Sequence, residues 1–200
     1  VIFFRNQEIT SEEQLRFAQR FGELEIHPFL PPNTKTPELV RFEKNANAAG
    51  YENQWHHDVT WRETPSQGAI LRAIEIPPIG GDTLFVDANA AYEGLTQERK
   101  DEIDSLNAVH DFLRAFGRQV PKEKLAEMRE MYPLVKHPVV INHHQTGKPL
   151  LYVNRIFVNG IEGYDEKEGF ELIDALCREF EVLEYSCRFK WEKNSIAFWA

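Results

Sequence analysis

Trp55-His56-His57-Asp58-Val59-Thr60-Trp61 is the stretch on which the reading of this chain turns. It is dense in aromatic and β-branched residues, the composition of a strand. On a strand, residues two apart share a face, so His56 and Asp58 are expected side by side. Outward from it, further strands are read at Val1–Phe4, buried, at Leu39–Phe42, Gly68–Ile76, Asp82–Val86, Asn107–Phe112 and Val135–Asn142. Pro138 pushes the last of these toward an edge or a bulge. Leu150–Val153 is expected to return from a hairpin at His143–Lys148 containing Gly147. Tyr185/Cys187/Phe189/Trp191 alternate with period two, and a Lys193-Asn194 turn would pair them with Ile196–Trp199.

Helices are fewer. Thr10-x-x-Glu13 fits a capping box opening a helix whose pattern (Leu15, Phe17, Ala18, Phe21) stops at Gly22. Residues 89–106 read as helix in one or two pieces, and 122–131 as a charged helix. Asp165–Glu181 is amphipathic, with Phe170, Ile173, Leu176, Cys177 and Phe180 on one face. Four prolines make 27–37 a loop, and 45–54 is a second, small and polar one. Many strands with few helices predict a mainly β fold with flanking helices, a sandwich or barrel. A doubly wound fold is disfavoured, because strand–helix alternation and a Gly-rich βα turn are both missing.

The chain has 200 residues, 42% hydrophobic and 12% aromatic, which suffices for a substantial core. A net charge of −9 with no Lys/Arg cluster argues against nucleic acid as a partner. Cys177 and Cys187 form no CxxC pair, so a zinc knuckle or disulfide scaffold is not expected, and a reduced, cytoplasmic setting is. No apolar run is long enough to span a bilayer.

Imidazole plus carboxylate on one face suits Fe(II) with positions left open for substrate and oxygen. On spacing alone, however, a His and an Asp two apart are often only solvated. The flanking tryptophans are an odd setting for an idle polar face, and Gly80-Gly81-Asp82-Thr83 leads a hydroxyl into a nearby strand.

Trp55-His56-x-Asp58-Val59-Thr60, Gly80-Gly81-Asp82-Thr83-Leu84, Ala90-Ala91-Tyr92, His110-Asp111-Phe112, His137-Pro138-Val139-Val140, Val153-Asn154 and Asn194–Trp199 occur in this order. Together they resemble the taurine dioxygenase/TfdA family across essentially the whole chain. The resemblance implies a double-stranded β-helix (jelly-roll) fold. It also implies an Fe(II)- and 2-oxoglutarate-dependent dioxygenase that uses O2, releases succinate and CO2, and hydroxylates a small organic acid. By the same match His56 and Asp58 are the catalytic iron ligands and Thr83 binds the co-substrate. His27, Val59, Phe116 and Phe157 line the substrate pocket. His110 and His137 fall where the family has no ligand, and His143 and His144 fall in the hairpin loop. Leu30, Glu52 and Ala115 stand where a tyrosine, an asparagine and a serine are expected, which predicts a larger or less polar substrate than taurine. The family's second iron histidine and its 2-oxoglutarate arginine follow the late tryptophan. They are expected beyond Ala200, with 1–200 one oxygenase domain lacking N-terminal and C-terminal parts.

Sulfonates, sulfate esters and aryloxyalkanoates are all within range as substrates. The rival class is a non-catalytic jelly-roll binding protein, which a missing third ligand would dictate. A hydrolase built on His57 or His110 lacks a nucleophile elbow. The residues are compatible with a homo-oligomer and do not decide it.

Overall fold

The computed structural model describes residues 1–30, 35–43 and 53–200. Along these run ten strands: β1 (Ile2–Phe4), β2 (Ala69–Arg72), β3 (Thr83–Val86), β4 (Asn107–His110), β5 (Val135–Pro138), β6 (Val140–Asn142), β7 (Pro149–Leu151), β8 (Val158–Ile161), β9 (Ser186–Phe189) and β10 (Ile196–Trp199). The α-helices among them are α1 (Ser11–Ala18), α2 (Ala88–Glu93), α3 (Gln97–Ile103), α4 (Leu113–Phe116), α5 (Leu125–Met131) and α6 (Glu166–Arg178). The chain divides into two compact units. One holds Val1–Asn53, Ser66–Thr83 and Lys190–Ala200, the other Gln54–Pro65 and Leu84–Phe189.

The first unit is an antiparallel sheet ordered β1-β10-β2 under one helix. The capping box opens α1 as expected: Thr10 Oγ1 accepts from the Glu13 N–H, and Glu13 Oε2 accepts from the Thr10 N–H at 2.8 Å. Phe17 of α1 meets Phe4 and Phe198 edge-on, with centroids 6.1 and 6.4 Å apart, pinning the helix to the sheet. β1 was expected to be buried, but it is an edge strand, and Ile2 is 56% exposed.

The second unit is built on the antiparallel trio β5-β4-β8 and the hairpin β6-β7, whose turn Gly147 closes with φ +70°. Asp165 caps α6 by accepting from the Glu168 N–H, and Leu172, Ile173, Leu176, Cys177 and Phe180 bury one face. They pack with Ile103, Val139, Leu151, Val153 and Val158. Each such side chain contributes about 1.5–3 kcal/mol of burial.

Four expectations need correction. Trp55–Trp61 is not a strand: residues 55–57 are irregular and 58–60 form a turn. Val59 has φ +46°, which ends any extended run, and its carbonyl accepts from Arg62 N–H instead of a ladder partner. Leu39–Phe42 forms no strand. The run from Val135 is not one strand: it breaks at Val139, whose N–H goes to Leu106 O while its carbonyl accepts from Tyr152, so β5 and β6 join different partners, and β5, ending at Pro138, lies at a sheet edge as expected. β10 does not return beside β9: it lies between β1 and β2, β9 pairs with β3, and Cys187 is exposed, so the alternation holds only from Phe189 onward.

Candidate functional site

The turn at Asp58–Thr60 brings His56 Nε2 to 3.4 Å from Asp58 Oδ1. The opposite ring nitrogen, His56 Nδ1, lies 2.8 Å from the Gln54 carbonyl. A carbonyl only accepts, so Nδ1 carries a proton and Nε2 is the ring nitrogen turned toward the carboxylate. When Nε2 is unprotonated, this nitrogen and the carboxylate form a donor pair for one cation. Two ligands each about 2.1 Å from one ion, at angles between octahedral and tetrahedral, sit about 3.0–3.4 Å apart. The pair therefore fits two adjacent positions of a metal ion, with the imidazole oriented by a backbone carbonyl. Among the described residues no group of three or more His, Cys, Asp or Glu side chains comes together to complete a site.

The neighbouring histidines are held away from this role. Burial and the adjacent His56 lower the pKa of His57 to about 4, and its ring lies 5.0 Å from Tyr152. His110 is fully buried against Thr60, and burial followed by His137 and His57 lowers its pKa to about 3. His137 Nε2 lies 2.9 Å from the Arg62 carbonyl. His143 Nδ1 accepts from the Gln145 and Thr146 N–H groups within the hairpin loop. His110 and His137 thus make structural hydrogen bonds, while His143 stays in the hairpin loop where it was expected.

Phe116 and Phe157 are adjacent, with centroids 6.2 Å apart, and Trp61 meets Phe116 edge-on at 6.3 Å. Val59, itself buried, lies two residues before Trp61. These aromatics form one continuous wall in the second unit. His27 and Thr83 belong to the first unit. His27 Nδ1 accepts from the Phe29 and Leu30 N–H groups, both at 3.2 Å, which leaves Nε2 as the ring's N–H donor. Gly80 and Gly81 take φ +80° and +76°, a turn that delivers the chain into β3 at Thr83. Thr83 Oγ1 accepts from the Trp191 indole N–H at 2.8 Å, so its own proton is directed to another acceptor. Glu52 lies outside the described residues.

Sequence reasoning missed Thr60, Asn154, Trp191 and Trp61. Three of the four lay inside quoted motifs, but nothing in a motif reveals a hydrogen-bond partner. Trp191 was read only as the end of an alternating strand.

The family model "Taurine catabolism dioxygenase TauD, TfdA family" matches residues 1–200. The chain belongs to that family. It is 31% identical to an alkylsulfatase of Acinetobacter baylyi over 207 residues, covering all of this chain and 64% of that protein. It is 32% identical to an alpha-ketoglutarate-dependent sulfate ester dioxygenase of Pseudomonas putida, covering all of this chain and 68% of that one. A crystal structure of a taurine dioxygenase from Burkholderia xenovorans superposes with a TM-score of 0.80 at 33% identity, over 98% of this chain and 64% of that one. This TauD/TfdA chain thus spans about two thirds of the length of the relatives it matches. Among its described residues no helix is long and apolar enough to cross a membrane.

Proposed function

We propose that the protein is an Fe(II)- and 2-oxoglutarate-dependent dioxygenase that hydroxylates a small organic acid, with a sulfate ester or sulfonate as the substrate class. The observation that carries this is the His56–Asp58 pair, an oriented imidazole nitrogen facing a carboxylate across 3.4 Å. The family match supports it, as do relatives named for sulfate esters and taurine. When bound, Fe(II) supplies oxygen activation coupled to decarboxylation of 2-oxoglutarate to succinate and CO2. His56 Nε2 and Asp58 would hold it. Thr83, with Trp191 occupying its oxygen, donates its hydroxyl proton to the far carboxylate of 2-oxoglutarate. By the family match His27 meets an anionic head group, and Val59, Phe116 and Phe157 give the apolar wall. In this reading residues 1–200 form a single oxygenase domain of the double-stranded β-helix type, working in the cytoplasm.

The test uses the full-length protein. It is expected to retain Fe(II) through desalting and to form succinate when given 2-oxoglutarate and hexyl sulfate. His56→Ala and Asp58→Ala are expected to lose both properties while keeping the wild-type circular dichroism spectrum. Metal-dependent succinate formation surviving in either variant would remove the pair from the site.

A further inference from the structure

Thr60, His110 and Asn154 are polar, each 0% exposed, and take no part in the chemistry above. They form a single chain of hydrogen bonds. Thr60 Oγ1 lies 2.8 Å from His110 Nδ1 and accepts from Asn154 Nδ2 at 3.3 Å. The other end of the same carboxamide, Asn154 Oδ1, accepts from the backbone N–H groups of Ile156 at 3.1 Å and Phe157 at 2.8 Å. Thr60, in the middle of this chain with His110 at one end, lies two residues after Asp58 in sequence. The Asn154 end fixes the backbone of Phe157, in the aromatic wall.

Burying three polar groups where apolar side chains would fit is costly unless their directional bonds are needed. The local backbone shows the need. Val59, a β-branched residue between Asp58 and Thr60, is held at φ +46°, in the left-handed region such residues avoid. A conformation of that kind persists only where its surroundings over-determine it. On one side the hydroxyl of Thr60 is tied to His110 and Asn154, and Trp61 is clasped by Phe112, Phe116 and Tyr132.

We propose that Thr60 and Asn154 are positioning residues that hold the metal-binding turn and the Phe157 wall at one spacing, and that this spacing sets the size of substrate admitted. The inference rests on the assignment of Asp58 to the metal and Phe157 to the substrate. Neither residue touches the reacting atoms in this scheme. They act through Asp58 and Phe157.

The variants are Thr60→Val, which keeps the shape and removes the hydroxyl, and Thr60→Ser, which restores it. In the full-length protein three readouts are taken: Co(II) affinity by visible absorption, hydrogen exchange at the Phe157 amide relative to the amides of β8, and the ratio of kcat/KM for hexyl against dodecyl sulfate. Thr60→Val is expected to weaken Co(II) binding about tenfold. It is also expected to speed Phe157 exchange about tenfold over the β8 amides and to shift the substrate ratio about fivefold. Thr60→Ser should return each to within about twofold of wild type. If Thr60→Val lowers only the melting temperature, with Phe157 exchanging in step with β8, or if Thr60→Ser fails to rescue, the proposal is wrong. An unchanged substrate ratio overturns it as well. Should the wild-type protein bind Co(II) yet turn over neither ester, the substrate assignment fails, while the metal and exchange readouts still decide whether Thr60 positions the turn.

Discussion

Acidification offers a measurement of His110 that is independent of catalysis. The ring is fully buried and its folded pKa is lowered to about 3, chiefly by burial, from an ordinary 6.5. Because the folded value is the lower one, the unfolded chain binds the proton first. The stability contribution is complete above pH 6.5 and is lost as the pH falls toward 3. Between pH 7 and pH 5 the unfolded imidazole goes from about one quarter protonated to nearly full, and the linkage integral is about 2 kcal/mol. His57, lowered to about 4 by burial and then by His56, adds a similar amount of the same sign. Metal-free protein is therefore expected to lose about 4 kcal/mol of stability between these pH values, a large share of the ~5–15 kcal/mol of a typical domain. The assay is urea unfolding of the metal-free wild type and of His110→Asn at pH 7 and pH 5. The variant starts less stable but should lose only about 2 kcal/mol over the interval, since one titrating group is gone. Equal losses in the two proteins would show that His110 is not held neutral by the fold.

Four further outcomes are expected. Thr83→Ala removes one hydrogen bond to a charged group, worth roughly 1.5–3 kcal/mol, and should weaken 2-oxoglutarate binding far more than metal binding. Trp191→Phe should weaken it in the same direction but less, and an unchanged Kd in both variants, measured by titration of the metal-loaded protein, excludes Thr83 from the co-substrate site. Leu176→Ala, at 1% exposure in the α6 face, should cost about 2–5 kcal/mol by urea midpoint. In oxygen uptake taurine should be poorer than an alkyl sulfate, because Leu30 and Ala115 place no hydroxyl where the family resemblance expects two. A kcat/KM highest for taurine refutes that reading.

The fold was legible wherever a local rule governs it. The Thr10 capping box, the Asp165–Glu181 helix and the Gly147 hairpin stand as read, and 89–106, read as helix in one or two pieces, is two, because a cap, a 3.6-residue stripe or a positive φ is written in neighbouring residues. Strand pairing was not legible. Ile196–Trp199 sits between β1 and β2, partners 196 and 130 residues away at Ile2–Phe198 and Ala69–Trp199, pairings no turn signal announces. A plausible Lys193-Asn194 hairpin was the local solution, and the sheet chose a distant one. The chemistry residues were named by type and motif, while their partners were invisible: nothing near Thr83 points to Trp191, and nothing near Thr60 points to Asn154.

His56 and Asp58 are the instructive case, because the two side chains do come together although the backbone between them was read wrongly. A strand puts side chains i and i+2 on one face through its pleat. Here no strand exists, yet His56 and Asp58 still face one another at 3.4 Å. What replaces the pleat is a set of particular contacts. The Gln54 carbonyl turns the imidazole, and the turn at Asp58–Thr60 swings the carboxylate back toward it through a left-handed Val59. A ladder would have secured this geometry with interchangeable backbone bonds. A turn secures it with side chains that cannot be exchanged freely, which is why buried Thr60 and His110 matter to a site they do not line. The consequence is that substitutions tolerated on an ordinary strand, such as Thr60→Val, should be felt at the metal here.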